Sequence, residues 1–82
     1  MLISESIFVT KNAQSIYDAV LPELETPVSD RSAIELSVDG SNLLLKVTAN
    51  DVISMRSTLN TWYRLIQIAS EVSELAELFD QE

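Results

Sequence analysis

The stretch ANDVISMRSTLNTWYRLIQIASEV, residues 49–72, constrains this chain more than any other. It has the spacing of one continuous helix. Val52, Met55, Leu59, Trp62, Ile66, Ala69 and Ala76 recur every three or four residues, interrupted at Ser73. A second series, Leu65, Ile68, Val72, Leu75 and Phe79, keeps the same spacing one residue out of phase. One residue is about 100° around a helix, so the two stripes look in different directions. One stripe is enough to cover a sheet, and Val52, Met55 and Leu59 are expected to lie on the chain's own sheet. The second has no evident counterpart within 82 residues.

Length makes the same point. A helix over residues 51–78 spans about 42 Å at 1.5 Å per residue. A compact domain of this size has a radius of gyration of about 12 Å, hence a diameter of roughly 30 Å. The helix is expected to overhang its sheet by about two turns, and an apolar overhang is usually covered by another chain.

The rest of the chain supplies that sheet. LISESIFV (2–9) reads as a strand, with Ile3, Ile7 and Val9 on one side. TKNAQSIYDAVLPELE opens at Thr10, a good N-cap, and Ala13, Ile16, Tyr17, Val20 and Leu21 form a helical stripe that Pro22 should limit near its end. TPVSD (26–30) is loop-like. In SAIELSV (32–38), Ile34, Leu36 and Val38 alternate with Ala33, Glu35 and Ser37, the pattern of a half-exposed strand. Asp39-Gly40-Ser41-Asn42 is a hairpin loop by composition, and LLLKVTA (43–49) returns with Leu43, Leu45 and Val47 toward the core. Asn50 is expected to cap the long helix, with Asp51 in its first turn. The order is β-α-β-β-α. With the third strand central, all three pair antiparallel and leave both helices on one face. The fold class is α+β, a two-layer sandwich in one domain over residues 1–82.

Absent residue types limit the chemistry. With no Cys there is no thiolate nucleophile, thiolate metal site or disulfide. With no His there is no ordinary zinc ligand set and no side chain that titrates naturally near neutrality. One glycine cannot build a glycine-rich phosphate loop. No apolar run approaches the roughly 18–20 residues of a membrane span, and no leader opens the sequence, so a cytoplasmic protein without membrane partners is expected. The net charge of −8 opposes direct nucleic-acid binding, which draws on Lys and Arg, and suits a basic partner. Arg56, Asn60, Arg64, Gln67, Glu71 and Glu74 give the long helix a polar face that is basic early and acidic late. Glu71, Glu74, Glu77, Asp80 and Glu82 crowd the negative end of its dipole. Such a terminus either frays or has a basic neighbour.

DAVLPELE (18–25) followed by residues 43–72 resembles the Pcc family, the small dimerising subunit of the KEOPS complex. The family's Ala-Leu-x-Pro-Glu element is matched by Ala19, Leu21, Pro22 and Glu23, with Val20 interposed. Its Ala-x-Asp and Leu-Arg-Ala-x-x-Asn-Ser segments are matched at Ala49, Asp51, Arg56 and Asn60. Met55, Ser57 and Thr61 stand where Leu, Ala and Ser are usual, and Asn50 replaces the commoner Glu. The resemblance implies a non-enzymatic adaptor without cofactors. Its helices would join those of a Kae-type threonylcarbamoyl transferase subunit, which makes threonylcarbamoyladenosine in the anticodon loop of tRNA. It would pair with itself or a paralogue as dimer partner, and would meet tRNA only through the complex. Arg56 and Asn60 would anchor the helix start or a partner contact. Together with the surplus stripe at Leu65, Ile68, Val72 and Leu75 they form the expected partner interface. Three other readings stand beside this one. They are a paralogous partner that caps the main subunit's dimerisation surface, a stand-alone RNA-binding module, and a small enzyme or unrelated dimer.

Overall fold

The computed structural model describes residues 1–24 and 32–80. The expected loop at 26–30 therefore lies outside the described residues. Five elements follow one another: β1 (Leu2–Val9), α1 (Ala13–Leu24), β2 (Ser32–Asp39), β3 (Asn42–Ala49) and α2 (Val52–Asp80). The strands form one antiparallel sheet in the order β1-β3-β2, an α+β architecture as the sequence predicts.

The central strand carries the core. Leu43, Leu45, Val47 and Ala49 are buried, and on β2 Ile34, Leu36 and Val38 face the same way. Residues directly opposite in an antiparallel pair point to the same face, so register fixes the parity of β1. Phe8 lies opposite Leu43, Ser6 opposite Leu45 and Ser4 opposite Val47. Ser4, Ser6 and Phe8 therefore face the helices. Ile3, Ile7 and Val9 do share one side, and it is the open side of the sheet, where all three are exposed.

The hairpin between β2 and β3 is tight, with Asp39 paired to Asn42 across Gly40 and Ser41. Gly40 has φ +61° and no other residue type has positive φ among the described residues. Positive φ at the first central position alone is the type II′ pattern, whose twist matches the strands it joins.

Both helices start later than their sequence signals suggest. Thr10 accepts the Asn12 amide at its hydroxyl (3.1 Å), but the Ile16 amide donates to the Asn12 carbonyl (2.9 Å), so α1 proper begins at Ala13. Thr10 shapes the turn leading into it. Ala13, Ile16 and Val20 are buried, and α1 runs two residues past Pro22. At α2 the cap is Asp51 and not Asn50. Its carboxylate accepts the Ser54 amide at 2.7 Å and its carbonyl accepts the Met55 amide at 3.1 Å.

The core-facing stripe of α2 is buried at Trp62, Ile66 and Ala69, with Met55 and Leu59 packed at its margin. It does not hold to its ends. Val52 is 62% exposed and Ala76 is exposed. Thr58, buried beside the stripe, exchanges a 2.9 Å hydrogen bond with Ser32 of β2. Further along, Tyr63 stacks edge-on against Phe8 (centroids 5.8 Å) and its hydroxyl meets the Ser6 hydroxyl at 2.7 Å, so this flank of α2 leans toward β1. The 29-residue helix is about 43 Å long at 1.5 Å per residue. The molecule measures 48 × 21 × 18 Å, whereas strands of eight residues extend only about 27 Å.

Candidate interaction surface

The surplus stripe stands in solvent. Ile68, Val72, Leu75 and Phe79 are exposed, at 52% for Ile68, and Leu78 joins them in the last turns. Helical geometry dictates the result. Ile66 points into the core, and Ile68 is about 200° further round the same helix.

Leu65 differs from its companions. It is half-buried and packs against the core cluster, so it belongs to the edge of the core as much as to the stripe. Its neighbour Ile66 is 4% exposed and shares that environment. A charge at Leu65 would thus disturb the fold as well as any partner. Ile68 and Val72 are the cleaner probes.

Arg56 and Asn60 are exposed and line a shallow groove with Val52, Ile53 and Ser57. They do not join the stripe. From Asn60 to Ile68 the rotation is about 80° and from Arg56 to Val72 about 160°, whereas Leu78 returns to the angle of Asn60, so the two patches are separated mainly along the axis of α2 and only partly around it. At the helix start the capping is done by Asp51. Ile53, 82% exposed, is the residue the sequence reading passed over. Its spacing of three from Arg56 and seven from Asn60 places it on their face.

The acidic end of α2 has a cation from its own chain. Lys11, just past β1, lies 3.3 Å from Glu77, and the helix continues to Asp80 without early fraying. Such an exposed pair contributes at most about 1 kcal/mol and leaves the apolar side chains of the last turns uncovered.

Among the described residues no three carboxylates gather as a metal site, and no helix is long and apolar enough to cross a membrane. Trp62 is 1% exposed, with its indole N–H buried and unpaired among the described residues. What remains is a helix with one face committed to the core and another presenting apolar side chains outward.

Two comparisons bear on this arrangement. The family model described as "Transcription factor Pcc1" matches residues 5–74. The KEOPS complex subunit Pcc1 of Pyrococcus abyssi (strain GE5 / Orsay) is 33% identical over 60 residues, covering 73% of either chain.

Proposed function

The chain belongs to the Pcc1 family, and from that premise we propose that it is a non-catalytic subunit of a KEOPS complex, acting as one domain that joins larger subunits together. The observation that carries the reading is the exposed row Ile68, Val72, Leu75 and Phe79 on a helix already anchored by its opposite side. An apolar row at helical spacing is what an amphipathic partner helix needs on a docking surface. The partner is the Kae-type catalytic subunit, and the complex serves threonylcarbamoyladenosine modification of tRNA in the cytoplasm. Arg56, Asn60 and Ile53 form a second contact on the same helix, with the guanidinium giving direction to an otherwise apolar patch.

The charge of −8 keeps this chain from gripping tRNA phosphates itself, so tRNA is met through the other subunits. Self-association, with a second copy or a paralogue, brings two catalytic subunits into one assembly. No cofactor takes part.

The test is purification of the tagged protein from its native cell. The expected result is co-purification of a carbamoyl-transfer subunit of the ATPase fold and a small kinase. ATP hydrolysis or carbamoyl transfer by the isolated chain would overturn the non-catalytic assignment.

A further inference from the structure

A strand in a sheet covered on one side normally turns apolar side chains inward and polar ones outward. β1 does the reverse. Its Ser4 and Ser6 lie on the helix side, opposite Val47 and Leu45, while Ile3, Ile7 and Val9 stand exposed on the open face, Ile7 at 66%. The other strands follow the usual rule more closely. β2 turns Glu35, Ser37 and Asp39 outward, and β3 turns Lys46 and Thr48 outward beside the half-buried Leu44. Register sorts this open face into columns, with apolar β1 on one side and acidic β2 on the other. Ile7 lies opposite Leu44, which carries the apolar part to the middle strand. A cleft of about 480 Å³ opens here between Ile7, Leu44 and Ser37, bordered by Glu5, Glu35 and Lys46.

Charge on this face is unbalanced. Lys46 lies opposite Glu5 on one side and Glu35 on the other, and Asp39 adds a third carboxylate. Three acidic side chains against one basic leave the face with a charge of −2. Among the described residues none of these four side chains has an ion-pair or hydrogen-bond partner. RNA phosphates and anionic lipid headgroups would be repelled by such a surface. A segment that is apolar on one flank and basic on the other is complementary to it.

We propose that the open face of the sheet docks a basic amphipathic helix of a partner protein. Its apolar side chains lie over Ile3, Ile7, Val9 and Leu44, and its Lys or Arg side chains over Glu35 and Asp39. This goes beyond the functional reading, because the row on α2 belongs to the opposite layer and both surfaces can be occupied at once. A face offers side chains only, since the ladder's N–H and C=O groups lie in the plane of the sheet, so the occupant is a helix and not an added strand. Strands about 4.8 Å apart set β1 and β2 roughly 10 Å from each other, the width of one helix. Ile3 to Val9 covers roughly 20 Å, the length of a helix of about 13 residues. Glu35 and Asp39 are about 13 Å apart along β2, which is close to two turns of helix. The partner's basic residues are therefore expected seven or eight positions apart, on one flank of its apolar stripe.

The test places a photoreactive amino acid at Ile7 of the tagged full chain, and at Val9 in a second variant, each expressed in the native cell. Both side chains are exposed, so the fold should tolerate either change, and circular dichroism of the purified protein checks it. Adducts formed on irradiation are digested and sequenced by mass spectrometry. The expected result is cross-linking from both positions to one protein segment, with helical apolar spacing and Lys or Arg residues about two turns apart. Glu35→Lys combined with Asp39→Lys should cut the adduct yield at least tenfold. The same charge change at the exposed Glu71 and Glu74 of α2 should leave it within about twofold. Adducts to a second copy of this chain, to RNA, to lipid, or to a segment without basic residues overturn the proposal. A folded variant that yields no adduct overturns it as well, and so does a yield unmoved by reversing Glu35 and Asp39.

Discussion

Ile66 and Ile68 have the same side chain, on the same helix, two residues apart. Ile66 is 4% exposed and Ile68 is 52% exposed. The difference between them is the difference between what folds this chain and what the chain offers to others. Ile66 belongs to a cluster with Trp62, Ile16, Leu43 and Leu45, and its burial is stabilising in the isolated molecule. Ile68 gains little from folding, because its exposure barely changes. Any selection for an apolar residue there acts through something outside the chain. A single amphipathic helix has one such boundary, and α2 carries it along most of its length.

Substitutions along α2 sharpen the contrast. The largest effect is expected for Ile66→Asp. An unpaired carboxylate in the core costs several kcal/mol, against a total stability of about 5–15 kcal/mol for a domain, so the variant should lose its helical circular dichroism at room temperature. Trp62→Ala removes the largest fully buried side chain, and a loss of about 3–5 kcal/mol is expected from the shift in a denaturant melt. Leu65→Asp tests the border between the two faces. With half its surface already in water it should cost about 1–2 kcal/mol and still weaken complex formation, so melt and pull-down both move. If it unfolds as completely as Ile66→Asp, the stripe begins at Ile68. The smallest effect is expected for Glu77→Ala, which breaks the pair with Lys11 and should move the melt by a few tenths of a kcal/mol, less at high salt.

Much of this was legible in the sequence, for a reason visible in particular residues. Leu43, Leu45 and Val47 alternate with Leu44, Lys46 and Thr48, and the polar Lys46 and Thr48 mark the outward parity of the central strand even though Leu44 is apolar. The two stripes of α2 are legible for the same reason, since spacing alone sets direction on a helix. Ends are harder. Asn50 and Asp51 are both good caps, and only the carboxylate's bond to Ser54 decides between them. Val52 continues the core spacing and is nonetheless 62% exposed, since spacing gives direction on a helix and not how far the covered surface extends. On β1 the apolar side chains share one side as their alternation requires. Their exposure follows from register with β3, which places Ser6 and not Ile7 against Leu45 on the helix side. The candidate site has two parts, one at the start of α2 and one toward its end, offset around the helix as well as along it. Arg56 and Asn60 entered through a family resemblance and the stripe through periodicity, and neither source carries the angle between them.

The central claim is that the outward stripe serves a partner and not the fold. It is tested most directly with Ile68→Asp, measured in two ways on one preparation: circular dichroism through a thermal melt at several protein concentrations, and a pull-down with the catalytic subunit. The expected result is native helical signal with a melt shifted by less than about 1 kcal/mol, since an exposed position away from the core changes stability little, and complex binding weakened at least tenfold. A variant that unfolds at every concentration, or one that binds the catalytic subunit as tightly as the unmodified protein, would contradict it.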